Sequence, residues 1–239
     1  TVAIAAAIQN KYKIPVIPHI ICSGFTKEET EYALIDLQFL GITDLLLLRG
    51  DKAKHEREFV PTGHRHATEL QEQVNQFNQG FFLDGSKMKS TVPFSYGMAC
   101  YPEKHEEAPN LDSDLIYAKQ KVDAGAEYLV TQMFFDNQKY YEFVDKCRAN
   151  GINVPIIPGL KPITLKNQMT VLPKIFHTDL PEAFASELRK CQSDAEAVEV
   201  GVEWCIQQAN DLKANGVPSI HFYSMMATQS VKRVAQAVY

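Results

Sequence analysis

The sequence predicts an α/β fold of parallel strands alternating with helices, of the (β/α)8 barrel kind. Three observations carry this. First, residues 16–22, 45–51, 94–103, 128–135, 155–162 and 219–225 are apolar runs that do not alternate, as suits strands buried on both faces. Second, capped segments of helical period follow the runs. Third, polar and Gly/Pro-rich residues gather at the C-terminal ends of the runs: Pro18-His19, Arg49-Gly50-Asp51, Tyr101-Pro102-Glu103, Thr131-Gln132, Gly159-Leu160-Lys161 and His221-Phe222-Tyr223. That edge binds ligands in barrels and in open parallel sheets alike. An open doubly wound sheet is the alternative, but the chain has no Gly-rich phosphate turn of that kind.

The elements follow in order. The chain opens at Thr1 directly into a helical stretch, residues 2–11. Thr26-Lys27-Glu28-Glu29 is a capping box, with Ala33, Leu34, Leu37 and Leu40 on one face and Gly41 as the stop. Residues 52–63 are polar and without period, and read as a mobile loop directly after a strand end, where loops often form lids or substrate contacts. Residues 81–90 are a second irregular stretch, expected on the opposite face. Asp112 or Ser113 opens a helix with Leu115, Ala118 and Val122 inward. Asp136 opens another, with Tyr140, Phe143, Val144 and Cys147 inward and Asn150-Gly151 as the stop. From Asp194 the positions 198, 202, 205, 209 and 212 keep helical period until Asn215-Gly216, and Val231, Val234, Ala235 and Val238 mark a terminal helix. Six strand–helix units are visible where a closed barrel has eight. The first one or two units are therefore expected to be absent from the sequence shown, and residues 1–239 to form a single barrel domain.

Composition narrows the function. A hydrophobic share of 45%, a charged share of 22% and a formal net charge of -5 describe an ordinary globular chain and argue against nucleic acid. No apolar run approaches the length of a membrane helix, and no secretory signal stands at the start. The five cysteines are dispersed, without a C-x-x-C pair, which favours free thiols in a reducing, cytoplasmic setting.

Several residues carry possible chemistry. Arg49 and Asp51 end an apolar run, where ions are costly to desolvate unless they meet each other or a polar ligand. His105 falls in a loop, either solvated or at a ligand. Asp114, Tyr117 and Lys121 share a helical face, which acquires meaning only if that helix starts beside a ligand. Gln132 is an amide inside an otherwise apolar strand and needs partners there, structural or heterocyclic. His19, His105 and His221 suggest a metal site only weakly, without H-x-H or a carboxylate cluster. No G-x-S-x-G, P-loop or G-x-G-x-x-G occurs.

Taken in order, Pro18–Cys22, Leu48-Arg49-Gly50-Asp51, Tyr101-Pro102-Glu103-Lys104-His105-Glu106-Glu107-Ala108, Lys121–Ala126, Thr131-Gln132-Met133-Phe134-Phe135-Asp136, Ile157–Pro162 and His221-Phe222-Tyr223 resemble methylenetetrahydrofolate reductases. The resemblance spans the whole chain. It implies a (β/α)8 barrel that holds FAD across the C-terminal strand ends. The implied activity is reduction of 5,10-methylenetetrahydrofolate to 5-methyltetrahydrofolate by NAD(P)H in a ping-pong cycle. The implied FAD contacts are His19, Arg49, Gly50, Asp51, Ala67, Ala99, Tyr101, His105, Asp114, Tyr117 and Lys121. Gln132 is implied to contact the pterin and the nicotinamide in turn, and Gln168 to be a further folate contact. Asp51 and Gln132 are the implied catalytic residues, together with a general-acid Glu upstream of Thr1, and no metal is expected. A homo-oligomer without membrane or nucleic-acid partners belongs to the same expectation. The chain departs from some relatives at His66, at Tyr117 and at Ser224-Met225-Met226-Ala227. The alternatives are a metal-dependent barrel hydrolase using His19, His105 and His221, and a flavin- or folate-binding barrel without catalysis.

Overall fold

The computed structural model describes residues 1–50 and 62–239. These divide into two compact units, residues 1–99 with 121–128, and residues 100–120 with 129–239. Strands and helices alternate along the chain and every described strand pairing is parallel, so the fold is the β/α class expected.

In the first unit, α1 (Val2–Tyr12) precedes β1 (His19–Ile21), α2 (Lys27–Phe39), β2 (Asp44–Leu48), α3 (Ala67–Asn78) and β3 (Ser95–Cys100). The Thr26 capping box is formed: the hydroxyl accepts from the Glu29 amide and the Glu29 carboxylate accepts from the Thr26 amide. Leu34 and Leu37 of α2 are buried as expected. His19 pairs with Leu46 and Ile21 with Leu48, while Leu47 pairs with Met98. The interior is aliphatic, with Ile20, Leu45, Leu47, Leu70, Val74 and Met98 all buried. Tyr96 crosses it with its hydroxyl held by Gln71, Asn75 and the Ala124 carbonyl.

The second unit contains most of α4 (Leu111–Asp123) and β4 (Tyr128–Met133), then α5 (Asn137–Ala149), β5 (Ile156–Leu160), α6 (Gln168–Phe176), α7 (Glu182–Lys190), α8 (Asp194–Ala214), β6 (His221–Phe222) and α9 (Thr228–Val238). Asp136 caps α5 by accepting the Gln138 amide, and Ser193 caps α8. The core joins Met133, Phe135, Ile163, Leu172, Phe184 and Leu188, with the Phe184 and Trp204 rings stacked 4.5 Å apart.

Strands are shorter than the apolar runs, and β1 begins only after Pro18. β1 keeps three residues of the seven in its run, and β6 two. Residues 81–90 are irregular apart from one bridge, Phe81 with Lys87. The loop expected over residues 52–63 lies outside the described residues up to position 61, as does Asp51.

Candidate functional site

In the first unit, β1, β2 and β3 end level with one another, and the chain beyond them is tied together. The Cys22 amide donates to the Leu48 and Arg49 carbonyls, and the Ser23 amide to the Arg49 carbonyl. Gly50 has φ +83°, and a Cβ there would stand 2.3 Å from Ser23 Oγ, so the turn after β2 requires glycine. Lys121, from the last turn of α4, donates its ammonium to the Ala99 carbonyl at 2.9 Å. Arg49 and Glu69 both act electrostatically on the Cys22 thiol, so the first turn of α3, which begins at Ala67, reaches the same edge. Burial pushes that thiol up to about 12, with Glu69 reinforcing the shift and Arg49 opposing it. Arg49, Gly50, Ala67, Ala99 and Lys121 therefore share one edge of this unit.

His19 does not end its strand as expected; it opens β1, level with Leu46. The strand begins at His19 because the Leu46 amide already bonds the Pro18 carbonyl, and the residues that reach the Arg49 level are Cys22 and Ser23. His19 is exposed at the start of β1, and the desolvation imposed by its neighbours lowers the pKa of its imidazole.

In the second unit, the loop from β3 to α4 carries Tyr101 and His105, whose rings meet edge-on at 4.6 Å. The His105 amide donates to Asp114 Oδ2 at 2.9 Å, and His105 Nδ1 accepts the Glu107 amide. Asp114 is buried, so the face of α4 it shares with Tyr117 and Lys121 is not simply solvated. Tyr117 itself is 48% exposed.

Gln132 sits where the β4–β5 register shifts between Val130 and Met133, a bulge of the kind that re-aims a side chain. Its Oε1 accepts the Met133 amide at 2.9 Å. Beside it the Gly159 amide donates to Thr131 Oγ1, and the Tyr223 hydroxyl donates to the Thr131 carbonyl, both at 2.8 Å. Tyr223 in turn meets His221 edge-on. Gln168 lies at the start of α6, where its Oε1 accepts the Thr164 and Leu165 amides.

Tyr223 and Gly159 thus stand beside Gln132, a neighbourhood made by packing between β4, β5 and the end of β6 that no local sequence signal encodes. Lys161, read as a polar strand end, is buried instead, and desolvation lowers its pKa. No three His, Cys, Asp or Glu side chains gather as a metal site among the described residues. No described helix is long and apolar enough to cross a membrane.

Within the first unit, the cations Arg49 and Lys121 beside the small Gly50 and Ala99 are residue types that suit a dinucleotide with its phosphates and planar ring.

Comparison with known proteins gives the family. Residues 1–238 match the family model described as methylenetetrahydrofolate reductase. The chain is 32% identical over 238 residues to the probable methylenetetrahydrofolate reductase (NADPH) of Caenorhabditis elegans, covering 99% of this chain and 34% of that protein. It is 30% identical over 230 residues to the 5,10-methylenetetrahydrofolate reductase of Escherichia coli (strain K12), covering 94% and 70%. The chain thus spans little more than a third of several curated relatives it matches. Among solved structures it resembles oxaloacetate acetylhydrolase in complex with 3,3-difluorooxalacetate, with a TM-score of 0.51 and 10% identity over 98% of this chain and 63% of that one. That likeness is one of fold.

Proposed function

The chain belongs to the methylenetetrahydrofolate reductase family, and we propose on that footing that it reduces 5,10-methylenetetrahydrofolate to 5-methyltetrahydrofolate with NAD(P)H and FAD. The family match along residues 1–238 carries the reading. When bound, the flavin supplies hydride transfer from a nicotinamide and then to the folate, one substrate occupying the site after the other.

The residues of the chain bind and orient. Arg49 and Lys121 hold the cofactor's phosphates. His19, Gly50, Asp51, Ala67, Ala99, Tyr101, His105, Asp114 and Tyr117 complete the cofactor contacts. Gln132 orients the pterin or the nicotinamide through its amide, and Gln168 holds the folate. Asp51 keeps a negative charge that favours a cationic folate. In this reading the protein is a cytoplasmic homo-oligomer serving methionine formation.

Purified protein incubated with FAD and passed over a desalting column tests the reading. It should keep the yellow absorbance, lose it anaerobically on addition of NADH or NADPH, and regain it on addition of methylenetetrahydrofolate. A protein that retains no flavin, or whose reduced form methylenetetrahydrofolate leaves untouched, refutes it.

A further inference from the structure

Two segments of the second unit are fastened to each other by side chains that the site above does not use. Glu103, in the loop between β3 and α4, accepts the Asp179 amide on Oε1 at 3.1 Å, and Asp179 lies in the connection between α6 and α7. Three residues on, Glu106 Oε2 meets His177 Nε2 at 3.2 Å, with both side chains about half exposed. Beside the contact is a cavity of about 250 Å³ floored by Leu111 and Phe143. Two buried polar atoms at this contact, Glu103 Oε2 and Thr178 Oγ1, have no hydrogen-bond partner among the described residues. Native structures leave few such atoms, and a pair on neighbouring segments needs a reason.

We propose that Glu103 is a positioning residue, which clamps the connection after α6 onto the loop carrying Tyr101 and His105. Because α6 begins with Gln168, the clamp sets the folate side of the site against the cofactor side. That consequence rests on the proposed function, whereas the clamp itself rests on the contact.

The clamp is pH-responsive. Burial pushes the Glu103 carboxyl up to about 7; the Asp179 amide and the Lys139 ammonium oppose the shift, and the Asp179 and Asp136 carboxylates add to it. Lys104, Glu142 and Lys146 are the other charged groups lining the cavity. The closed contact holds a proton that an opened Glu103 releases in the ordinary glutamate range. Closure is therefore favoured most at and below that range, and the advantage is lost as pH rises through about 7. The exposed Glu106–His177 pair contributes little.

Hydrogen exchange of the full chain at pH 6, 7 and 8, corrected for intrinsic rates, tests this at the Asp179 amide. Wild-type protection should fall about 3- to 10-fold from pH 6 to pH 8. Glu103→Gln, neutral and of the same shape, should keep protection at every pH. Glu103→Ala should lose about 10- to 100-fold throughout, and Glu106→Gln should retain the wild-type slope. The KM for folate should rise in Glu103→Ala and recover in Glu103→Gln, with kcat moved less. A flat wild-type profile, or a Glu103→Gln profile with the wild-type slope, overturns the clamp. If Glu103→Ala does not fold, the Gln variant decides. A wild-type protein that binds no flavin yet shows the slope supports the clamp and overturns the functional reading.

Discussion

Replacing Gly159 by Ala places a methyl group where β5 has no room for one. The new Cβ would stand 2.5 Å from the Thr131 carbonyl oxygen and 2.6 Å from Tyr223 Cε2, about 0.9 Å short of ordinary 3.4 Å contact. The Tyr223 ring can swing away, but its hydroxyl then leaves the Thr131 carbonyl. The carbonyl itself belongs to β4, so easing that contact pulls at the bond from the Gly159 amide to Thr131 Oγ1. Overpacking of this kind costs about 1–3 kcal/mol and the lost hydrogen bond about 1 more. The sum, about 2–4 kcal/mol, corresponds to a melting midpoint lowered by roughly 5–15 °C in a chain of this size. Tyr223→Phe removes the hydroxyl alone and should cost about 1 kcal/mol. Combining Gly159→Ala with Tyr223→Ala should fall short of additivity, since the ring clash vanishes while the carbonyl clash stays. Differential scanning calorimetry of wild type, Gly159→Ala, Tyr223→Phe, Tyr223→Ala and the double variant measures all of this. A Gly159→Ala protein melting within about 1 °C of wild type would show that the strands part without cost, and the reasoning would fail.

Asp51→Asn should slow methylenetetrahydrofolate reduction about 30- to 1000-fold while NAD(P)H oxidation changes little, as stopped-flow measurement of each half-reaction would show; equal slowing of both refutes a role on the folate. Lys121→Met, which keeps the stem and removes the ammonium, should weaken FAD binding at least tenfold in a fluorescence titration, and less at high salt. All five thiols are buried, and burial pushes Cys22, Cys147 and Cys205 up to about 12. Ellman's reagent at pH 8 should therefore titrate almost nothing in the native protein and five thiols after denaturation.

The sequence made the strands and the well-capped helices legible, because non-alternating apolar runs and the Thr26 and Asp136 caps are local signals. It concealed α3, α6 and α7 for equally local reasons. The N-cap residues His66, Asn167 and Pro181 give no side-chain cap bond, and α6 carries Pro173 in its interior. At the candidate site, a role for the Asp114–Tyr117–Lys121 face was suggested only by resemblance. The partner of Asp114 is a backbone amide nine residues away, and no periodicity encodes such a bond. His19 was misplaced by an apolar run that starts before the ladder does. The same limit applies to Glu103, whose partner lies 76 residues downstream.

The Asp114 carboxylate holds the His105 amide, the Lys121 ammonium the Ala99 carbonyl, the Gln132 oxygen the Met133 amide and the Gln168 oxygen two amides of its own turn. Each of these groups thus already uses part of its hydrogen-bonding capacity on its own chain. An incoming ligand exchanges one hydrogen bond for another of similar strength, so polar contacts of this sort select among ligands more than they tighten them. Tight retention must then come from buried ring area and from charge. Mutations of the neutral amides Gln132 and Gln168 should accordingly alter which heterocycle is accepted before they alter how long it stays, whereas Lys121 acts through its charge.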